Sequence, residues 1–147
     1  MRKVKILFIC KHGVFRSRVA EEYFRKINRN KNVEAVSRGI IMGGNSDSAQ
    51  REMSKNILGV DIAKRKPISL TIPEMLQADM IIVVANDIPK VIFDYQRISV
   101  KGKVIIWKIP DEQRMNIKNL KNTVSLIKKK VDKLNKKLEN GDLSLVK

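Results

Sequence analysis

The sequence predicts an α/β fold, a three-layer α/β/α sandwich with a four-stranded parallel sheet, formed by residues 1–147 as a single domain. Short apolar runs rich in β-branched residues alternate with segments whose apolar residues recur every three or four positions. Strands that alternate with helices form parallel sheets covered by helices on both faces. No internal repeat, low-complexity tract or linker marks a second domain.

Local signals place the individual elements. The predicted strands are 4–9, 33–36, 80–85 and 102–109, and the predicted helices start near 17, 47 and 71, with two more at 87–95 and 118–137. Asp47 is a candidate N-cap for a helix that Gly59 ends. Thr71 and Glu74 form a capping-box pair, and Pro73 suits the first turn of that helix.

Much of the net charge of +16 lies in the last predicted helix. Apolar residues recur there at steps of three and four, and lysines fill most other positions. This pattern favours an amphipathic helix with a solvated lysine face over a nucleic-acid surface, although nucleic acid stays open as a partner. In either case the charge favours the approach of anionic substrates.

The chain has one cysteine, so an internal disulfide is impossible, and without a Cys/His cluster we expect no structural metal. The apolar run near the amino terminus is too short to span a membrane, and no small-residue cleavage site follows it. We therefore expect a cytoplasmic protein with no membrane partner.

The first predicted strand leads to Cys10, and the loop from Cys10 to Ser17 is suited to holding a phosphate group. Arg16 comes six residues after Cys10, where the next helix starts. Backbone N–H groups of a tight loop can converge on an anion, and the helix N-terminus adds partial positive charge. The same field stabilises a thiolate, Arg16 can hold two phosphoryl oxygens, and Ser17 can hydrogen-bond the sulfur.

This loop, followed by Val19-Ala20-Glu21, resembles the low-molecular-weight protein tyrosine phosphatase family and its arsenate reductase relatives. The family signature is Cys, five residues, Arg, Ser or Thr, and a helix containing Ala-Glu. Residues 36–39, 61–71 and 78–79 also match the family in order and spacing, and Asp111 falls where the family keeps an aspartate in a mobile loop. The resemblance implies a low-molecular-weight phosphatase-like fold and a cysteine-dependent phosphatase.

The resemblance also implies a site and a mechanism. Cys10 would attack phosphorus and form a cysteinyl-phosphate, Arg16 would stabilise the transferred group, and Asp111 would act as general acid and then base. The phosphate-binding residues would be Lys11, His12, Gly13, Val14, Phe15, Arg16 and Ser17. Ser17 and Ser37 would support the loop. No metal and no cofactor are needed.

The loop departs from the family pattern at His12-Gly13, where most members have Gly-Asn. Glycine can adopt the same positive φ but cannot make the hydrogen bonds of the asparagine side chain. Two alternatives therefore stay open: an arsenate reductase that uses an external thiol, and a non-catalytic phosphate- or nucleic-acid-binding module. The leading partner is a protein phosphorylated on tyrosine, ahead of phosphoarginine or a small aryl phosphate. Inorganic phosphate and other oxyanions are also expected ligands.

Overall fold

A four-stranded parallel sheet organises the chain in the computed structural model, which describes residues 3–41, 43–93, 103–111 and 116–141. The strands are β1 Val4–Cys10, β2 Val33–Gly39, β3 Met80–Val84 and β4 Val104–Trp107, in the order β2-β1-β3-β4. The helices are α1 Arg16–Ile27, α2 Ser48–Leu58, α3 Ile72–Gln77 and α4 Ile117–Glu139. The predicted three-layer α/β fold with a four-stranded parallel sheet is confirmed.

The two central strands carry the core. Every residue of β3 is buried, and β1 is buried from Ile6 to Cys10, as expected for strands covered on both faces. β1 pairs with β2 along its whole length, so that Cys10 lies opposite Gly39. Because all the strands are parallel, their carboxyl ends meet at one edge of the sheet, and the loops that follow them converge there.

The side chains of β1 alternate between two apolar layers. Ile6 and Phe8 pack into the cluster formed with α1, α2 and α4. Leu7 and Ile9 pack on the opposite face with Met75 of α3 and other residues. In α4 the buried apolar residues are Leu120, Val124, Ile127, Val131, Leu134 and Leu138. The predicted amphipathic pattern therefore buries one stripe of α4 and leaves most of its lysines toward solvent.

The predicted helix boundaries at α2 and α3 are confirmed. Asp47 caps α2 through the backbone N–H of Gln50, and α2 ends at Gly59, which has a left-handed φ of 68°. Thr71 and Glu74 form the reciprocal capping box of α3. Each boundary depends on residues within a few positions of one another, which is why the sequence alone locates it.

The predicted helix at 87–95 is wrong over its described part. The chain there forms only a 3₁₀ turn, Lys90–Phe93, and residues 94 and 95 lie outside the described residues. Pro89 has no N–H to donate and disfavours helical backbone at the preceding Ile88. The predicted strand at 102–109 is shortened to Val104–Trp107, and residue 102 lies outside the described part. None of the described helices is long and apolar enough to cross a membrane.

Candidate active site

Cys10 is the last residue of the central strand β1, and its thiol is buried at the start of the loop that leads to α1. Its Sγ lies 3.0 Å from the Ser17 hydroxyl and accepts a hydrogen bond from the Gly13 N–H at 3.3 Å. The Gly13 N–H donor is therefore directed at the atom that a cysteine nucleophile uses. The local geometry therefore suits a cysteine that acts as a nucleophile.

The loop packs tightly against the end of β2 through two glycines. Gly13 has a φ of +68°, and a Cβ at this position would lie 2.7 Å from the backbone nitrogen of Gly39. A Cβ at Gly39 would lie 2.5 Å from the carbonyl carbon of His12. The Ile40 N–H donates to the Lys11 carbonyl at 2.9 Å, which fastens the same contact. Neither glycine can therefore gain a side chain without moving the backbone that surrounds the thiol.

Arg16 begins α1 with only 2% of its surface exposed, and three groups surround its guanidinium. Asp87 contacts Nη1 at 3.1 Å and Nη2 at 3.3 Å. The carbonyl of Ile109 accepts from Nη1 at 3.0 Å, and Asp111 lies 3.9 Å from Nε. Loops that follow β1, β3 and β4 therefore meet at a single cation.

Asp87 is a site residue that the sequence reasoning missed. It lies shortly after β3, at the sheet edge where the Cys10 loop also begins. A carboxylate following a buried parallel strand is a signal that could have placed it there. A bidentate contact from a carboxylate restricts both the rotamer and the plane of a guanidinium. Asp87 therefore fixes the position of Arg16.

Several of the predicted site residues line one cavity of about 160 Å³. They are Cys10, His12, Val14, Phe15, Arg16 and Asp111. The cavity is completed by Gly44, Asn45 and Gln50. The Nδ1 atom of His12 is buried and has no hydrogen-bond partner among the described residues.

The remaining predicted residues lie around this cavity instead of lining it. Lys11 is half-buried, and Gly13 and Ser17 are buried. Ser37 is buried on β2, and its hydroxyl donates to Glu21 of α1 at 2.8 Å. Its described contact therefore joins β2 to α1 and does not reach the loop. Within the described residues, no three His, Cys, Asp or Glu side chains form a group that could hold a metal ion.

Comparison with known proteins gives a family and a set of similar folds. A family model described as low molecular weight phosphotyrosine protein phosphatase matches residues 5–143. No curated protein matches the chain.

Three solved structures illustrate the similarity in fold. The low molecular weight protein tyrosine phosphatase from T. tengcongensis is 23% identical, with a TM-score of 0.79, and the match covers 92% of this chain and 99% of that one. The YwlE arginine phosphatase from Geobacillus stearothermophilus is 18% identical, with a TM-score of 0.80 and coverage of 95% and 96%. Vibrio vulnificus Wzb in complex with benzylphosphonate is 24% identical, with a TM-score of 0.77 and coverage of 92% and 99%.

Proposed function

We propose that this chain, which belongs to the low molecular weight phosphotyrosine protein phosphatase family, hydrolyses phosphate monoesters through a cysteinyl-phosphate on Cys10. The observation that carries the proposal is the meeting of a thiol, a buried arginine and a carboxylate in one cavity. The thiol already accepts a hydrogen bond from the Gly13 N–H and lies 3.0 Å from the Ser17 hydroxyl. A site that only binds phosphate needs neither a nucleophile nor an acid.

In the first step the Cys10 thiolate attacks phosphorus, an S–P bond forms, and the P–O bond to the leaving group breaks. Asp111 in its protonated form gives its proton to the departing oxygen. In the second step a water molecule attacks phosphorus and gives a proton to the Asp111 carboxylate. The S–P bond then breaks, which releases inorganic phosphate and regenerates the thiolate. The reaction balances without a metal or another co-reactant.

Arg16 stabilises the negative charge that the transferred phosphoryl group carries in both steps. Its contact with Asp111, at 3.9 Å, is the longest of the contacts around its guanidinium. An arriving phosphate dianion competes with Asp111 for Nε, whereas the contacts with Asp87 and Ile109 stay in place. Substrate binding thereby separates Asp111 from the guanidinium, and Asp111 must take up a proton from solvent before it can protonate the leaving oxygen.

The proposed substrate is phosphotyrosine in a protein. The half-buried Val14 offers an aliphatic contact for the phenyl ring at the cavity wall. An arsenate reductase would have to use an external thiol, because the sequence holds no cysteine beyond Cys10 that could relay a disulfide. Phosphoarginine is a second candidate, because one protein of similar fold is an arginine phosphatase.

The test is hydrolysis of para-nitrophenyl phosphate with a metal chelator present. We expect Cys10→Ser to abolish turnover, and Asp111→Asn to lower kcat by about 100-fold or more. Asp61→Asn is the matched control, since it removes an exposed carboxylate outside the catalytic cavity and should retain wild-type kcat. Wild-type protein that binds phosphate without turning over any phosphomonoester would refute the proposal. Peptides carrying phosphotyrosine or phosphoarginine then decide the substrate.

A further inference from the structure

A second, larger cavity adjoins the catalytic cavity. Its volume is about 560 Å³, within the roughly 300–1,000 Å³ typical of ligand sites. Val14 and Asn45 line both cavities, so the two cavities share a wall beside the loop from Cys10 to Ser17, here called the phosphate loop. Five cations also line the second one: Arg18, Arg51, Lys64, Arg65 and Lys66. We call it the basic cavity.

Carboxylates compensate only part of this charge. No carboxylate lines the basic cavity among the residues that the structure describes. Glu21 pairs with Arg18 at 3.6 Å and with Arg65 at 3.3 Å, and Glu22 pairs with Arg65 at 3.4 Å. Glu21 is also shared with Arg25 at 3.1 Å, which lies outside the cavity lining. The carboxylates of Glu21 and Glu22 are therefore shared among three arginines.

The other three cations add to this excess. Arg51 donates to the carbonyl of Ser46, and Lys64 and Lys66 are exposed. Within the described part of the chain, none of the three forms an ion pair with a carboxylate. The nearby carboxylate of Asp61 accepts from the Ala63 N–H at 2.9 Å. The cavity thus carries a local positive charge that no described group neutralises.

Arg18 supplies independent support for an anionic occupant. The residue is 3% exposed, and its Nη2 donates to the carbonyl of Lys66 at 2.9 Å. Its Nε–H is buried and has no acceptor among the described residues. A buried charged donor without an acceptor is costly, and charge-assisted hydrogen bonds to anions are among the strongest in proteins. Arg18 also lines the basic cavity, so an anion there would lie beside a guanidinium whose hydrogen-bonding capacity the described residues leave unfilled.

We propose that the basic cavity binds a second anionic group of a phosphopeptide substrate, a carboxylate or phosphoryl group on a residue close to the one that is hydrolysed. The inference rests on the proposed function, because the catalytic cavity must hold the first phosphoryl group. A peptide is the suitable carrier because its neighbouring side chains can reach over the shared wall at Val14 and Asn45 while the phosphorylated side chain enters the catalytic cavity. Acidic or multiply phosphorylated sequences then become the preferred substrates.

The experiment compares three phosphotyrosine peptides that differ beside the phosphotyrosine: one neutral, one with glutamates and one with phosphoserine. We expect the wild type to favour both anionic peptides by about fivefold to tenfold in kcat/KM. The glutamate and phosphoserine arms distinguish carboxylate from phosphoryl recognition. Equal kcat/KM values for all three peptides would overturn the proposal.

Charge-reversal variants then test whether the preference for anionic peptides comes from the basic cavity or from the net positive charge of the whole protein. The variant Lys64→Glu/Lys66→Glu should lose the preference for anionic peptides. The variant Lys129→Glu/Lys133→Glu makes the same change in net charge on exposed positions of α4 and should keep it. Equal losses in the two variants would show that long-range steering, and not the cavity, selects the peptides. Both pairs of lysines are exposed, so the variants should fold.

A binding measurement distinguishes failure of this inference from failure of the proposed function. Affinities of the three peptides for Cys10→Ser are measured without turnover. If the wild type hydrolyses nothing but Cys10→Ser still binds the anionic peptides more tightly, the proposed catalysis fails and the subsite stands. If the wild type hydrolyses the neutral peptide equally well and Cys10→Ser shows no preference, the subsite fails and the catalysis stands.

Discussion

The packing of the phosphate loop against β2 makes Gly13→Ala a sharp test of the site geometry. An alanine at a φ of +68° costs about 1 kcal/mol relative to glycine. Its Cβ would also lie 2.7 Å from the Gly39 nitrogen, and this neighbour is backbone that cannot rotate away. Forcing the loop and the end of β2 apart adds about 1–3 kcal/mol, so we expect a total loss of about 2–4 kcal/mol in the free energy of unfolding.

Gly59→Ala is the matched control for this prediction. Gly59 has the same φ of +68°, but its added Cβ would meet only the flexible end of Lys26. We therefore expect a loss of about 1 kcal/mol there, measured for both variants by urea denaturation. Gly13→Ala should also lower kcat/KM for para-nitrophenyl phosphate by about tenfold or more, because the Gly13 N–H is displaced from the Cys10 sulfur. Equal destabilisation of the two variants, with unchanged turnover in Gly13→Ala, would refute the reasoning.

Two further predictions concern carboxylates. Asp87→Asn should lower kcat about tenfold and destabilise the fold by about 1–3 kcal/mol, because Arg16 loses its bidentate partner. If the variant is destabilised but its kcat is unchanged, Asp87 has no part in positioning Arg16. Burial raises the pKa of Asp132, but hydrogen bonds from Lys128 and Tyr23 outweigh it and hold the pKa below its usual 3.8. The contribution of the ionised Asp132 side chain to the free energy of unfolding is therefore present above pH 3.8, and it is lost as the pH falls through the folded-state pKa of Asp132. Asp132→Asn should be less stable than wild type by less than about 1 kcal/mol near neutrality, because solvent screens this partly exposed ion pair. Urea denaturation at decreasing pH should show the difference closing, and a constant difference would contradict this account.

The sequence was sufficient where a structural feature depends on neighbouring residues. The capping pairs of α2 and α3 each join residues three positions apart, and the structure has both. The Cys10 loop is equally local, since Cys10 and Ser17 are seven positions apart in sequence and their side chains meet at 3.0 Å. Hydrophobic periodicity likewise predicted the sheet and its two covered faces, because burial repeats with the geometry of each element.

The sequence was insufficient where the partner of a side chain lies far along the chain. Asp87 is 71 positions from Arg16, and its place after a buried strand indicates the edge of the sheet but not the partner of its carboxylate. The hydrogen bond from the Ser37 hydroxyl to Glu21 likewise joins side chains on two different elements, β2 and α1. The basic cavity depends in the same way on bringing the loop at 64–66 beside α1. Contacts between such distant residues depend on how the helices pack on the sheet, and the hydrophobic periodicity of the sequence does not specify that packing.

The arrangement around Arg16 also determines when activity can arise during folding. Its guanidinium bonds to the carbonyl of Ile109, which is 93 positions away and follows the edge strand β4. Contacts between residues so far apart form slowly, because a long loop must close before they can stabilise the chain. Helices and the β1–β2 pair can form from much closer segments. We therefore expect a refolding chain to regain its far-ultraviolet circular dichroism before its catalytic activity, so that turnover reports the docking of the last strand.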